Sequence, residues 1–305
     1  MDLIEKIKVL KNHLNSKNFK KVIEGSVKLL KKIPKNDYVL NLTGMAYQGL
    51  SQHKNAIKYF IEALRHSPKN TAVINNYANS LKAIGKLEGA QDLYEKILVL
   101  NPNYINAYNN YANLKTLIND YEGAIKLYQK ALYLLKSTPN VPQSSVTGIL
   151  FSLAIAYQSD NQIEKVKEMI NEIFKINPSH IGAHKLISSI TKYTNEDVKS
   201  LEHLNKMEEI KQKIDKNNYE EKVDLSYALG KANEDLKDYD KAYHYLNTAN
   251  NLKFEKYGSN LEAERKAIEN ITKIFSEIDL ESLNKDTLNK KIIFILGMPR
   301  SGTTL

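Results

Sequence analysis

The stretch NTAVINNYANSLKAIGKLEGAQDLYEKILVLNP, residues 70–102, decides the fold because its pattern recurs along the chain. Pro34, Pro68 and Pro102 lie 34 residues apart, and small and apolar residues keep the same step. The other positions in register are Ala56, Ala90 and Ala124; Phe60, Tyr94 and Tyr128; Ala63, Ile97 and Ala131; Leu40, Ile74 and Tyr108; and Gly44, Ala78 and Ala112. Such a period indicates a chain built from copies of one supersecondary unit.

Each unit is predicted to be a pair of antiparallel helices. Small residues such as Gly44 and Ala56 let the paired helices approach closely, and proline ends the second helix because it cannot continue it. No unit buries its own apolar face, so stability comes from stacking. Over Asp37–Thr138 the pattern resembles the tetratricopeptide-repeat family. The resemblance implies an all-α fold, a right-handed tetratricopeptide helical solenoid.

The solenoid is expected to occupy residues 1–278, followed by a polar linker at 279–290 and the start of a second domain at 291–305. Pro139 and Pro142 mark an insertion near 138–146. The remaining assignments are degenerate units at 1–36 and 181–216, clearer units at 147–180 and 223–254, and one amphipathic helix at 259–278.

The C-terminal residues KIIFILGMPRSGTTL, 291–305, indicate the start of an anion-binding site. The apolar run 292–296 is typical of a buried strand, and the glycine loop after it leads into residues that can start a helix. Strand, loop and helix start together form a cradle for phosphate. Thr303 stands where an ATP or GTP loop has lysine, and the cation comes earlier, at Arg300.

The Pro-Arg-Ser-Gly-Thr-Thr form of this loop resembles the sulfotransferases, above all bacterial ones with tetratricopeptide N-termini and the tyrosylprotein sulfotransferases. The resemblance implies 3′-phosphoadenosine 5′-phosphosulfate as co-substrate, no metal, and a truncated α/β domain. Its donor-binding residues would be Arg300, Ser301, Gly302, Thr303 and Thr304. The general base would lie beyond Leu305, so the chain is expected to be an inactive fragment of a longer product. The alternative for this loop is an ordinary strand-to-turn segment.

Seven asparagines are expected on the concave face that first helices line. They are Asn41, Asn75, Asn76, Asn79, Asn109, Asn110 and Asn113. Amides offer both donors and acceptors to a peptide backbone, and the row is similar to the asparagine ladder of the O-GlcNAc transferase array. The alternative is that an AT-rich genome places asparagine wherever a polar residue is tolerated. No cation accompanies them, so a chaperone carboxylate clamp is not expected.

The remaining features favour a solvated interaction protein. The net charge is +9, and lysines interspersed with glutamates favour a solvated surface over a nucleic-acid face. There is no cysteine and no apolar run of about 20 residues, so we expect a cytoplasmic protein without membrane contact. His180 and His184 are expected to be a surface pair and not a metal site.

Two functions from different classes follow. The first is the N-terminal part of a sulfotransferase whose array recruits a hydroxyl acceptor, such as protein tyrosine. The second is a protein-interaction scaffold without catalytic activity. A glycosyltransferase would need a different domain in place of the loop at Gly297–Thr304.

Overall fold

The computed structural model describes residues 2–215, 218–258 and 261–276, and all regular structure there is helical. The helices are α1 Leu3–Asn15, α2 Phe19–Leu30, α3 Asp37–Gly49, α4 His53–His66, α5 Thr71–Ala83, α6 Leu87–Leu100, α7 Ile105–Leu117, α8 Tyr121–Lys136, α9 Gln143–Ser159, α10 Ile163–Ile176, α11 Ile181–Ile190, α12 Val198–Lys213, α13 Tyr219–Asp235, α14 Tyr239–Tyr257 and α15 Leu261–Ser276. Within these ranges no helix is long and apolar enough to cross a membrane.

The chain divides into two compact units, residues 1–250 and 251–305. In the first unit, α1–α10 pair and stack in succession and α11 packs mainly against α13, which together form the predicted helical solenoid. In the second unit, two ion pairs on α15 each join side chains one helical turn apart. Lys266 pairs with Glu262 at 3.1 Å, and Arg265 pairs with Glu269 at 2.9 Å. The predicted linker and the strand at 292–296 lie outside the described residues.

The seam between paired helices is closed by small residues, as predicted. Ala56, Ala90 and Ala124 have no exposed surface. Gly44 lies so close to the ring of Phe60 that a Cβ there would be 2.3 Å from Cε1. This contact explains why the sequence places a residue without a side chain opposite the fully buried Phe60 ring.

A recurring left-handed residue forms the turn between the two helices of a unit. The residues with positive φ in these turns are Lys17, Ser51, Gly85, Asn119, Asn161 and Lys237. The first four recur at the period of the repeat, and only Gly85 is a glycine. The repeat therefore fixes the backbone here more strictly than it fixes the residue type, because packing of the flanking helices outweighs a local cost of about 1–2 kcal/mol.

The unit formed by α11 and α12 keeps the same register although its consensus is poor. Ser188 lies one repeat after Ala154, Ser200 lies one repeat after Val166, and both serines are buried. Helix α11 ends early, and a non-helical connection at 191–197 places Tyr193 in the core. Ser188 donates from Oγ to Ala228 O of α13 at 3.2 Å, and Ser200 donates to Asp197 O at the start of its own helix.

Candidate peptide-binding face

The face formed by α3, α5 and α7 carries the seven predicted asparagines, and the structure joins four of them in pairs. Asn76 Nδ2 donates to Asn41 Oδ1 at 3.0 Å. Asn110 Nδ2 donates to Asn75 Oδ1, also at 3.0 Å. Both bonds run from one repeat to the repeat before it. They hold the amides in fixed orientations along the array.

Two further asparagines satisfy buried tyrosines. The hydroxyl of Tyr94 donates to Asn79 Oδ1 at 2.6 Å, and the hydroxyl of Tyr128 donates to Asn113 Oδ1 at the same distance. Burial raises the pKa of Tyr94, so its phenol stays protonated and needs an acceptor. Asn79 and Asn113 therefore support the fold of their own repeats.

A sequence signal for this structural role exists and was missed. In the earlier repeat, the position of Asn79 is occupied by Met45, and the position of Tyr94 is occupied by Phe60. The amide is present where the aromatic ring carries a hydroxyl and absent where it does not. A buried donor without an acceptor costs free energy, which explains why the two positions change together.

Only a few polar groups of these asparagines remain available to bind a ligand. Asn75 is only 6% exposed, whereas the other six asparagines are half-buried. The side-chain oxygens of Asn76 and Asn110 and the whole amide of Asn109 have no hydrogen-bond partner among the described residues. Two oriented amide oxygens one repeat apart can accept hydrogen bonds from the backbone of an extended peptide.

Helices α5 and α7 carry one lysine each, Lys82 and Lys115, and Lys115 is paired with a carboxylate. Lys115 Nζ lies 2.9 Å from Asp120 and 5.4 Å from the ring centre of Tyr111. Its ammonium is thus already neutralised by a neighbouring carboxylate. The face offers amides, and beside it the rings of Tyr47 and Tyr59 stack between α3 and α4 with centroids 5.4 Å apart.

The prediction that His180 and His184 form a surface pair is wrong. His184 is 2% exposed, its Nε2 lies 2.9 Å from Pro178 O, and its Nδ1 lies 2.9 Å from His203 Nε2. His180 instead caps α11, where its Nδ1 accepts from Ala183 N. The physical reason is register: His184 lies one repeat after Leu150, at a position that the solenoid buries.

The buried His184 and the half-buried His203 form a continuous chain with Tyr193, whose hydroxyl lies 2.6 Å from His203 Nδ1. Pro178 O can only accept, so His184 carries its proton on Nε2 and accepts on Nδ1. His203 then donates from Nε2 and accepts the Tyr193 proton. Every group is satisfied with both rings neutral. Burial, followed by repulsion from His184, lowers the pKa of His203 to about 4.

A cleft of about 820 Å³ lies beside this chain, between α10, α11 and α12. Phe174, Ile187 and the two histidines line it, together with four lysines at its rim. The described part of the chain holds no group of three ligating side chains suited to a metal ion. The predicted donor-binding residues Arg300, Ser301, Gly302, Thr303 and Thr304 lie outside the described residues.

Two family profiles match the chain. Residues 5–142 match the profile described as Psidin, N-terminal TPR repeats region, and residues 223–256 match the profile described as Tetratricopeptide repeat. An uncharacterized protein of Aquifex aeolicus (strain VF5) is 31% identical over 159 residues, which is 52% of this chain. The match spans 20% of that relative's own length.

Several solved structures share this fold, although under a fifth of their aligned residues are identical to those of this chain. A tetratricopeptide repeat protein from Parabacteroides merdae superposes with a TM-score of 0.58 at 16% identity, covering 87% of this chain and 96% of its own. The C-terminal part of a TPR repeat-containing protein from Cytophaga hutchinsonii gives 0.56 at 13% identity, over 85% and 98%. PilF of Pseudomonas aeruginosa gives 0.53 at 15% identity, over 83% and 99%.

The profiles and the structural matches agree with the helix pairs, the repeat register and the small-residue seams. They give no support to a sulfotransferase domain or loop. The first unit of this chain is therefore a tetratricopeptide-repeat solenoid.

Proposed function

We propose that the solenoid is a protein-interaction scaffold that holds an extended segment of a partner along α3, α5 and α7. The supporting observation is the pair of oriented amides at Asn76 and Asn110. Each is fixed by a bond to the preceding repeat and keeps a free oxygen. Because the amides are already ordered, binding costs little additional side-chain entropy.

Such a face would recognise a partner through its peptide backbone more than through its charge. The amide oxygens accept N–H groups, and the neighbouring tyrosine rings provide apolar contact area. With Lys115 paired to Asp120, a carboxylate-bearing terminus gains little here. The proposed ligand is thus an extended, sequence-tolerant peptide segment.

The test is selection of peptides from a random displayed library on the intact chain, followed by affinity measurements. Asn76→Ala combined with Asn110→Ala is expected to weaken the selected peptides by about tenfold. The matched control is Asn205→Ala with Asn247→Ala, two exposed helical positions. Thermal melting confirms that both double variants are folded. Equal affinity for the Asn76/Asn110 variant and wild type would contradict the proposal.

The sequence of Gly297–Thr304 supports a second proposal, in which the scaffold recruits an acceptor for sulfuryl transfer. In this proposal Arg300 and the hydroxyls of Thr303 and Thr304 hold the 5′-phosphosulfate of 3′-phosphoadenosine 5′-phosphosulfate. Sulfuryl transfer to a hydroxyl depends mainly on such positioning and charge stabilisation. The support is the order of array, polar linker and loop along the sequence.

Donor binding by the natural gene product that contains this chain tests the second proposal. Arg300→Ala is expected to lower the affinity for 3′-phosphoadenosine 5′-phosphosulfate by about tenfold, because it removes a charge-assisted contact. Lys290→Ala, which removes a charge outside the loop, serves as control. An unchanged donor affinity in the Arg300 variant would reject the sulfotransferase assignment and leave the scaffold proposal intact.

A further inference from the structure

The net charge of the chain is concentrated at one end of the solenoid. Residues 3–36 contain ten lysines and two glutamates, a formal charge of +8 out of +9 for the whole chain. The lysines are Lys6, Lys8, Lys11, Lys17, Lys20, Lys21, Lys28, Lys31, Lys32 and Lys35. The expectation of lysines interspersed with glutamates is wrong for this unit. Its surface is strongly cationic.

These lysines are also unpaired. Among the described residues, ion pairs begin in chain order at Glu62 with Arg65, and none involves a lysine of residues 3–36. Elsewhere in the solenoid, some exposed lysines are neutralised within one helical turn, as Lys126 is by Glu122 at 2.6 Å, whereas others, such as Lys54 and Lys96, have no ion pair among the described residues. The first unit therefore keeps a positive field that a partner could neutralise.

The outer side of α1 and α2 forms an apolar groove of about 430 Å³. Val9, which is 36% exposed, and the edges of the core residues Leu10 and Leu29 form its apolar lining. Lys6, Lys28 and Lys32 stand at its rim. The groove thus combines apolar contact area with three ammonium groups on flexible stems, which can cover apolar surface while reaching a carboxylate.

The repeat register shows what kind of element fits this groove. Lys6 and Val9 lie one repeat before Leu40 and Thr43, which are 4% and 0% exposed. In that inner unit, Leu30 of the preceding second helix packs against the cluster that contains Leu40. The same face of the first unit lacks such a helix among the described residues. Its shape is that of a surface which receives a helix.

We infer that the open face of α1 and α2 docks an acidic amphipathic helix of a partner protein. An apolar stripe on that helix would cover Val9, Leu10 and Leu29, as helices do in grooves of this kind. Glutamates and aspartates beside the stripe would meet Lys6, Lys28 and Lys32. This surface is separate from the asparagine face of α3, α5 and α7.

Other polyanions fit the groove less well. A nucleic acid would contact the lysines through phosphate but leave the apolar lining uncovered, and neither arginine nor aromatic side chains line the groove. An anionic bilayer would engage protruding residues, such as Ile4 at 78% exposure, in preference to the groove lining. The apolar lining therefore separates these three partners experimentally.

The experiment measures binding of the intact chain to a labelled helical peptide of about 18 residues, with leucine at helical spacing and glutamate elsewhere. A sequence isomer with the same composition but no amphipathic face is the control probe. Duplex DNA and phosphatidylserine vesicles are measured at the same salt concentration. We expect the amphipathic peptide to bind about tenfold more tightly than its isomer.

Charge reversal at the rim locates the site. Lys6→Glu, Lys28→Glu and Lys32→Glu together should weaken the amphipathic peptide by about tenfold. Reversal of Lys8, Lys20 and Lys35, which are exposed but do not line the groove, changes the total charge equally and should weaken it about threefold or less. Circular dichroism checks the fold of both variants.

Three outcomes would overturn the inference. The first is that the two peptide isomers bind equally, or that neither of them binds. The second is an equal loss in the two charge-reversal variants, which would indicate a general field effect. The third is tighter binding of DNA or vesicles than of the amphipathic peptide. In the vesicle case, Ile4→Ser would weaken binding more than Val9→Ser does.

Discussion

The consensus repeats at 37–136 and the unit at 181–213 share one register but bury different chemistry. In the consensus region, buried tyrosine hydroxyls donate to an amide, as Tyr94 does to Asn79, or to a carboxylate, as Tyr111 does to Glu95. In the later unit they are the titratable chain of His184, His203 and Tyr193. The comparison shows that the solenoid tolerates buried polar groups where each donor meets an acceptor. The histidines of the later unit therefore add a pH-dependent contribution to stability that the tyrosine–amide pairs do not.

The largest expected effect is this pH dependence. The pKa of His203 falls from 6.5 in the unfolded chain to about 4 in the folded one, so the unfolded state binds more protons between these values. The contribution is present above pH 6.5 and is lost as the pH falls toward 4. It amounts to about 3 kcal/mol in the free energy of unfolding.

The control for this prediction is the combined variant His184→Leu, His203→Leu and Tyr193→Phe, which gives this unit an apolar core. Urea denaturation at pH 7 and pH 4 measures how much free energy of unfolding each protein loses on acidification. This loss should be about 3 kcal/mol smaller in the variant than in wild type. The same loss in both proteins would mean that the two regions do not differ in their response to pH.

Overpacking of the seam is the next largest effect. Ala90→Leu should cost about 1–3 kcal/mol, because Ala90 has no exposed surface between its helices. The equivalent residue of the later unit is Ser200 by register, and it borders the 820 Å³ cleft. Ser200→Leu should therefore cost less. Thermal midpoints compare the two, with Ala72→Leu as an exposed control; equal losses at Ala90 and Ser200 would contradict the difference in packing.

The neutral pair of the consensus region can be tested by exchange with its neighbour. Asn79→Met leaves the buried Tyr94 hydroxyl without its acceptor and should cost about 1–3 kcal/mol. Adding Tyr94→Phe recreates the Met45 and Phe60 combination of the earlier repeat. The double variant should recover most of the lost stability in a double-mutant cycle. Additive losses would show that the amide does not serve the tyrosine.

The smallest effect concerns the turns. Ser51 has a φ of 58°, so Ser51→Gly should stabilise the protein by up to about 1 kcal/mol. Asn195 occupies the corresponding register position in the later unit, one repeat after Asn161, and has no positive φ. Asn195→Gly should bring no gain. A gain at Asn195 in thermal melting would show that the two turns are alike.

Most of the fold could be predicted from the sequence because the same steric requirements recur at the same positions of each repeat. Small residues at Gly44 and Ala90 and the prolines at the repeat ends specify helix pairing regardless of the surface sequence. Poor consensus concealed the register at 181–213. Serine there replaces alanine at almost the same volume, so Ser188 stays buried, against Ala228 of α13, without looking like the consensus.

The polar interior could not be predicted in the same way. Asparagines at helical spacing look alike in sequence, yet Asn79 accepts from Tyr94 within its repeat while Asn76 bonds to Asn41 across repeats. Which partner an amide finds depends on helix packing that no single stretch encodes. His184 and His203 lie 19 residues apart, and only the early end of α11 and the 191–197 connection bring them together.

The most direct test of the central claim, one register through both regions, is the imidazole titration of His203 followed by NMR. If the register places the half-buried His203 against His184 and Tyr193, its titration midpoint lies at about pH 4 and shifts on His184→Leu, which removes the second cause of the lowered pKa. A midpoint near 6.5 that does not respond to His184→Leu would contradict the account.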